Sequence, residues 1–183
     1  MTPKQKNTIV AISGSLRANS SNNAVINAAA ELVYGEVDFI IYEGLGSLPP
    51  FDDSKQPANE VTEFRNLLRL ADGILICSPE YAFGVPGILK NALDWTVSTG
   101  EFVSKPVAVI TAATGGDKAH ASLLLTLSAL SARVTEQGTL LIPFVRSKLN
   151  ENGEVKDPAT KQSIKQVMEA LVNTINSQTN EER

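Results

Sequence analysis

The chain has 183 residues, 43% hydrophobic and 20% charged, which are globular proportions and exclude disorder, collagen and coiled coil. Sixteen basic against twenty acidic residues leave a net charge of -4, the wrong balance for a protein whose main partner is nucleic acid. No apolar run approaches the roughly 20 residues that span a bilayer, so no membrane partner is expected. The length favours one domain over residues 1–183. The first residues run into a strand-like stretch without a separate apolar segment and cleavage site, so no signal peptide is read. One cysteine, Cys77, can form no internal disulfide, and a reducing, cytoplasmic setting is expected.

Apolar strand-like runs alternate with helical patterns. Ile9-Val10-Ala11-Ile12 predicts a buried strand, followed by Ser13-Gly14-Ser15 and a helix marked by Val25, Ala28, Ala29 and Leu32. Asp38 to Tyr42 is the second strand, and the Gly-, Pro- and Asp-rich stretch from Gly44 to Asn59 reads as a loop. Val61, Phe64, Leu68 and Ala71 mark the second helix, and Gly73 to Cys77 the third strand, stopped by Ser78-Pro79. The third helix is expected to open at Pro86, a residue suited to a first helical position, and to carry Leu89, Ala92 and Leu93. Val107 to Ile110 is the fourth strand, and Leu123, Leu127, Leu130 and Val134 set the fourth helix. Thr139 to Ile142 is the fifth strand. Residues 143–158 predict a surface hairpin or loop, and Ile164, Val167, Met168, Leu171, Val172 and Ile175 form the last helical stripe. The polar tail from Gln178 to Arg183 is expected to fray.

Five β-α repeats demand an α/β fold, a parallel sheet with helices on both faces. Right-handed crossovers leave few topologies, and five strands fit the flavodoxin-like order 2-1-3-4-5. Ligands of such sheets bind at the carboxyl ends of the strands near the switch in order, where the loops after strands one, three and four converge.

The first loop, Ser13 to Asn22, leaves a strand and enters a helix, whose N-terminus favours an anion. Ser15, Ser20 and Asn22 add donors and Arg17 a positive charge, a set suited to a terminal phosphate. Capping alone would explain Ser20 or Ser21 but not the rest. Neither GxGxxG nor a Walker lysine is present, which argues against a dinucleotide-binding dehydrogenase and an NTPase. The second loop, Ser78 to Gly87, places Tyr81 and Phe83 where they could flank a flat heterocycle or pack across an interface. The third, Ala112 to Asp117, has two glycines that permit close approach to a ligand, or is a plain turn with Asp117 as helix cap.

Gly14-Ser15-Leu16-Arg17 with Ser20 and Asn22, then Pro79-Glu80-Tyr81, then the run from Pro86 to Trp95, resembles the NADPH-dependent FMN reductase family, flavodoxin-like azo, quinone and chromate reductases. The six fixed positions of the first motif would coincide by chance at on the order of 10⁻⁷ per starting point. The resemblance runs from about residue 8 to about residue 175. It implies FMN phosphate contacts from Ser15, Arg17, Ser20 and Asn22. It implies contacts to the isoalloxazine from Pro79, Glu80, Tyr81 and Phe83, much of them through backbone, with Thr114, Gly115 and Gly116 closing on the ring's other edge. Ala82 and Gly84 stand where many members have Asn and Ser, so a donor near the flavin is lost, which bears on substrate preference. It further implies NADPH or NADH as hydride donor, ping-pong transfer to a small oxidant such as a quinone, azo compound or free flavin, and a homodimer or homotetramer. No catalytic side chain is expected, because the cofactor carries the chemistry.

No metal site is expected: His120 is the only histidine, read as an exposed helix residue, and Asp52-Asp53 as loop solvation. Cys77 is expected to behave as a small hydrophobe, and Trp95 as a core or interface anchor. Two alternatives stay open from the residues alone: a flavodoxin-type electron carrier without turnover, and a non-redox protein that binds another phosphorylated ligand on this fold.

Overall fold

A computed structural model describes residues 6–181. The first residues of the N-terminus, where no signal peptide is read, and the last two of the expected tail lie outside the described residues.

Five strands, β1 (Thr8–Ser13), β2 (Asp38–Tyr42), β3 (Gly73–Ser78), β4 (Val107–Ala112) and β5 (Thr139–Ile142), form one sheet in the order β2-β1-β3-β4-β5. Every pairing is parallel. The predicted flavodoxin-like topology is thus the observed one. Strands β3 and β4 are buried at every position, as their unbroken apolar runs require of central strands covered on both faces. The edge strand β2 has no fully buried residue: Asp38, Ile40 and Ile41 are exposed, Phe39 and Tyr42 half-buried.

Helices α1 (Ser21–Leu32) and α5 (Pro158–Glu181) cover one face, packing Val25, Ile26, Ala29, Ile164, Met168 and Leu171 on Ile9, Ala11, Leu75 and Ile110. Helices α2 (Asn59–Leu70), α3 (Gly87–Asp94) and α4 (Asp117–Ala129) cover the other, with Val61, Phe64, Leu68, Leu89 and Leu123 against Val10, Ile12, Ile74 and Val109. Successive strand residues point to opposite faces, so each strand feeds both cores.

Several boundaries differ from expectation. Pro86 is the residue before α3, with extended ψ of 133°, and the helix begins at Gly87. Helix α4 stops at Ala129, so Leu130 and Val134 lie beyond it. Ser131 adopts left-handed backbone (φ 59°), its N–H bonds Ser128 O at 2.9 Å, and the Ala132 N–H bonds Leu127 O at 3.0 Å. That is a Schellman motif built on serine instead of the usual glycine. Leu130 stays buried and Val134 packs on the same core, which explains the helical spacing that runs past the stop. Asp117 is the first helical residue of α4, and Gly116, at φ 111°, takes the cap position. Helix α5 continues past Gln178 to Glu181, where the polar composition predicts fraying. Residues 143–158 contain a turn of 3-10 helix (Val145–Lys148) and a small hairpin closed by the Leu149–Val155 bridge.

Trp95 belongs to the core. It is 1% exposed, its Nε1 donates to Pro49 O at 2.8 Å, and the Arg65 guanidinium lies over its ring at 5.6 Å.

Candidate flavin site

The carboxyl ends of β1, β3 and β4 open into a cavity of about 380 Å³. Its wall takes Ser15, Arg17, Ser20 and Asn22 from the first loop, Pro79, Glu80 and Tyr81 from the second, and Thr114 from the third. The switch-point rule therefore places the site where the three loops meet.

The first loop crosses the end of β3: the Gly14 N–H donates to Cys77 O at 2.8 Å. A Cβ on Gly14 would lie 3.1–3.2 Å from side-chain atoms of Leu89, Pro79 and Ser78, which would have to give by a few tenths of an ångström. Beyond it, Ser15 is buried and its Oγ accepts from the Arg17 N–H at 3.4 Å. Ser20 caps α1, its Oγ accepting from the Asn22 N–H at 3.2 Å. Its hydroxyl thus serves the cap while the helix N-terminus faces the cavity. The Asn22 side chain is committed elsewhere: Nδ2 donates to Ala112 O at 3.3 Å, and Oδ1 accepts from Cys77 Sγ at 3.2 Å. Through its side chain Asn22 consequently braces α1 against β3 and β4 while it lines the cavity. Cys77 is fully buried, as expected of a small hydrophobe, and burial pushes its thiol far above the ordinary value.

In the second loop, Tyr81 and Gly84 pair through N–H···O bonds of 3.1 and 2.9 Å around Ala82 and Phe83, both in left-handed backbone (φ 49° and 59°). Phe83 sits at the tip of this turn, 80% exposed and outside the cavity wall. Tyr81 lines the cavity and is 49% exposed. The Glu80 carboxylate points to the third loop, accepting from the N–H groups of Gly116 (3.2 Å), Lys118 (3.1 Å) and Ala119 (2.9 Å). Gly115 and Gly116 do not line the cavity; they form the turn that Glu80 holds.

His120, one turn into α4, is half-buried instead of exposed, with Nδ1 2.9 Å from Thr111 Oγ1. Burial lowers its pKa. Among the described residues no group of three His, Cys, Asp or Glu side chains could hold a metal ion.

The wall also contains residues that the sequence analysis did not assign to a ligand: Asn19 and Ser21, Ala112 and Ala113, and the segment Phe144 to Ser147. The last follows β5, and the signal was its position at the carboxyl end of a fifth parallel strand.

Comparison with known proteins agrees with this geometry. Residues 7–147 match the NADPH-dependent FMN reductase family, and the chain belongs to it. The NAD(P)H-dependent FMN reductase of Pseudomonas aeruginosa is 29% identical over 171 residues, 89% of this chain and 92% of that protein. A probable NADPH:quinone oxidoreductase of Oryza sativa is 31% identical, covering 89% of this chain and 86% of its own. Among solved structures, FerB of Paracoccus denitrificans, a flavoenzyme NAD(P)H:(acceptor) oxidoreductase, superposes with a TM-score of 0.82 at 26% identity. That match covers 93% of this chain and 98% of FerB. The class is that of an FMN-dependent NAD(P)H oxidoreductase, an enzyme and not a simple carrier.

Proposed function

We propose that the chain is one FMN-binding domain that holds its cofactor in the cavity at the carboxyl end of the sheet. The phosphate lies toward Ser15, Arg17 and the first turn of α1, and the ring toward Pro79, Tyr81 and Thr114. The observation that carries this reading is the donor set. A serine hydroxyl, a guanidinium and a helix N-terminus share one cavity, while the wall's carboxylate, Glu80, is spent on the N–H groups of α4. Such a set suits a doubly charged phosphate.

FMN, when bound, supplies the redox chemistry, accepting hydride from NADPH or NADH and returning electrons to a small oxidant such as a quinone, azo compound or free flavin. The protein's share is binding, orientation and proximity. Tyr81 and Thr114 line the cavity, and Tyr81 is half exposed, so a second flat reactant can be aligned with the ring beside it. No side chain need act as acid or base in hydride transfer.

We place the protein in the cytoplasm as a homodimer or homotetramer. Support comes from the free, buried thiol of Cys77 and from Leu16, Phe83, Val97 and Val103, which are exposed and apolar. Among the described residues no helix is long and apolar enough to cross a membrane.

The test is an absorbance spectrum of the purified protein, followed by NADH and NADPH turnover with quinones, azo dyes and free flavin. A colourless protein that FMN cannot reconstitute would overturn the reading. Bound flavin without NAD(P)H oxidation would return it to the carrier.

A further inference from the structure

A second arginine lines the same cavity, and the family resemblance assigns it nothing. Arg146 and Ser147 lie in the 3-10 turn after β5. That turn is pinned from several sides. The Phe144 N–H donates to Thr114 O at 3.1 Å and the Val145 N–H to Ala113 O at 3.1 Å. The Ser147 N–H and hydroxyl both donate to Phe144 O, each at 2.9 Å. Val145 is buried in the core beneath α1 and α5. Phe144 holds left-handed backbone at φ 51°, a conformation a bulky residue keeps only where its surroundings enforce it.

Arg146 lines the cavity from this turn, and the first residues of α1, Ser21 and Asn22, line the same cavity. Arg17 enters the same cavity from the loop after β1. Among the described residues neither guanidinium is engaged in an ion pair. Two uncompensated arginines in one cavity, on a chain of net charge -4, are positive charge concentrated for an anion. The charge balance agrees. A terminal phosphate carries about -1.5 to -2 at neutral pH. A single guanidinium with a helix N-terminus, worth about half a charge, only matches the monoanion-rich end of that range, and a second guanidinium supplies enough positive charge to cover the full dianion.

We propose that Arg146 is a second phosphate ligand, and that the pair Arg17 and Arg146 makes the site select a phosphomonoester over the same ligand without its phosphate. The proposal rests on the FMN reading above and adds the residue that sets selectivity between FMN and riboflavin.

The experiment titrates apo-protein, wild type and variants, with FMN and with riboflavin, following quenching of flavin fluorescence. Arg146→Ala is expected to weaken FMN by about tenfold or more, the loss of one charge-assisted contact, while leaving riboflavin affinity within about a factor of two. Arg146→Lys, which keeps the charge but not the fork, should fall between. Unchanged FMN affinity in Arg146→Ala overturns the proposal. Equal weakening of FMN and riboflavin also overturns it, since that pattern reports a displaced turn. If Arg146→Ala does not fold, the FMN-to-riboflavin ratio of Arg146→Lys decides in the same way. Failure of the wild type to bind FMN would instead sink the FMN reading itself.

Discussion

The Glu80 carboxylate accepts the N–H of Gly116 at 3.2 Å, so a residue from the loop after β3 caps a helix that follows β4. Its other oxygen takes the N–H groups of Lys118 and Ala119. A carboxylate at a helix N-terminus satisfies orphan donors and lies favourably in the field of the helix. The same bonds tie the loop that carries Tyr81 to the loop that carries Thr114, which fixes the relative position of two walls of the cavity. Gly116 is required for this arrangement: at φ 111°, a Cβ there would lie 2.8 Å from Leu141 Cδ1.

Glu80→Ala should therefore lower stability by about 1–2 kcal/mol, as loss of a charged cap does. It should also weaken FMN, because the two walls are no longer tied. Glu80→Gln keeps one acceptor oxygen and should be intermediate on both counts. Urea denaturation and FMN titration of the three proteins check this. An unchanged denaturation midpoint in Glu80→Ala would show that the cap contributes nothing.

The turn at Ala82 and Phe83 stores strain. Left-handed backbone at two successive non-glycine residues is the geometry of a tight hairpin turn, where Asn and Gly are favoured. Ala82→Gly should raise stability by about 0.5–1 kcal/mol, since relief of the Cβ clash exceeds the added freedom of the unfolded chain. Thermal denaturation reads the sign. A lower midpoint would mean that the methyl group makes packing contacts worth more than the strain.

The sheet and its order were legible because β1, β3 and β4 are short unbroken apolar runs with Gly, Ser or Pro at their ends. The position of the cavity followed from the order. What stayed hidden was non-local. Glu80 caps a helix 36 residues away, and no local pattern marks such a pairing. The bonds from the Asn22 side chain to Ala112 O and Cys77 Sγ are made only by the tertiary fold. The turn after β5 joins the site through backbone bonds to Ala113 and Thr114, to which side-chain identity gives no clue. The end of α4 was missed because Ser131 takes the backbone that a glycine would have announced.

His120 gives stability a pH dependence of known sign. Burial holds its pKa below the ordinary 6.5, so the unfolded chain binds a proton that the native state does not. Stability rises with pH wherever the unfolded state binds more protons, so it should fall as pH drops through 6.5 toward the lowered folded value. Asp117 and Asp157 have lowered pKa values through hydrogen bonds from Lys118 and Thr160. Their contribution is present above the ordinary 3.8 and is lost only below it, in a separate window. Urea midpoints at about pH 7.5 and about pH 5.5 should differ in the wild type, and His120→Gln should flatten the difference. The same drop in the variant would assign the effect to other groups.

Arg17 tests the phosphate end of the cavity directly. Arg17 lines the wall with Ser15 and Ser20 and is exposed, so removing its side chain leaves no buried group unpaired and the fold should be intact. Loss of a charge-assisted contact to phosphate is worth about 1.5–3 kcal/mol, so Arg17→Ala should weaken FMN by roughly 10- to 100-fold. Salt should weaken wild-type FMN binding more steeply than it does the variant's, because one screened charge pair has gone. Denaturation midpoints of the apo-proteins should coincide. If FMN affinity and its salt dependence are the same in both proteins, Arg17 does not meet the phosphate, and the anion must be held by the α1 N-terminus, the serines and Arg146.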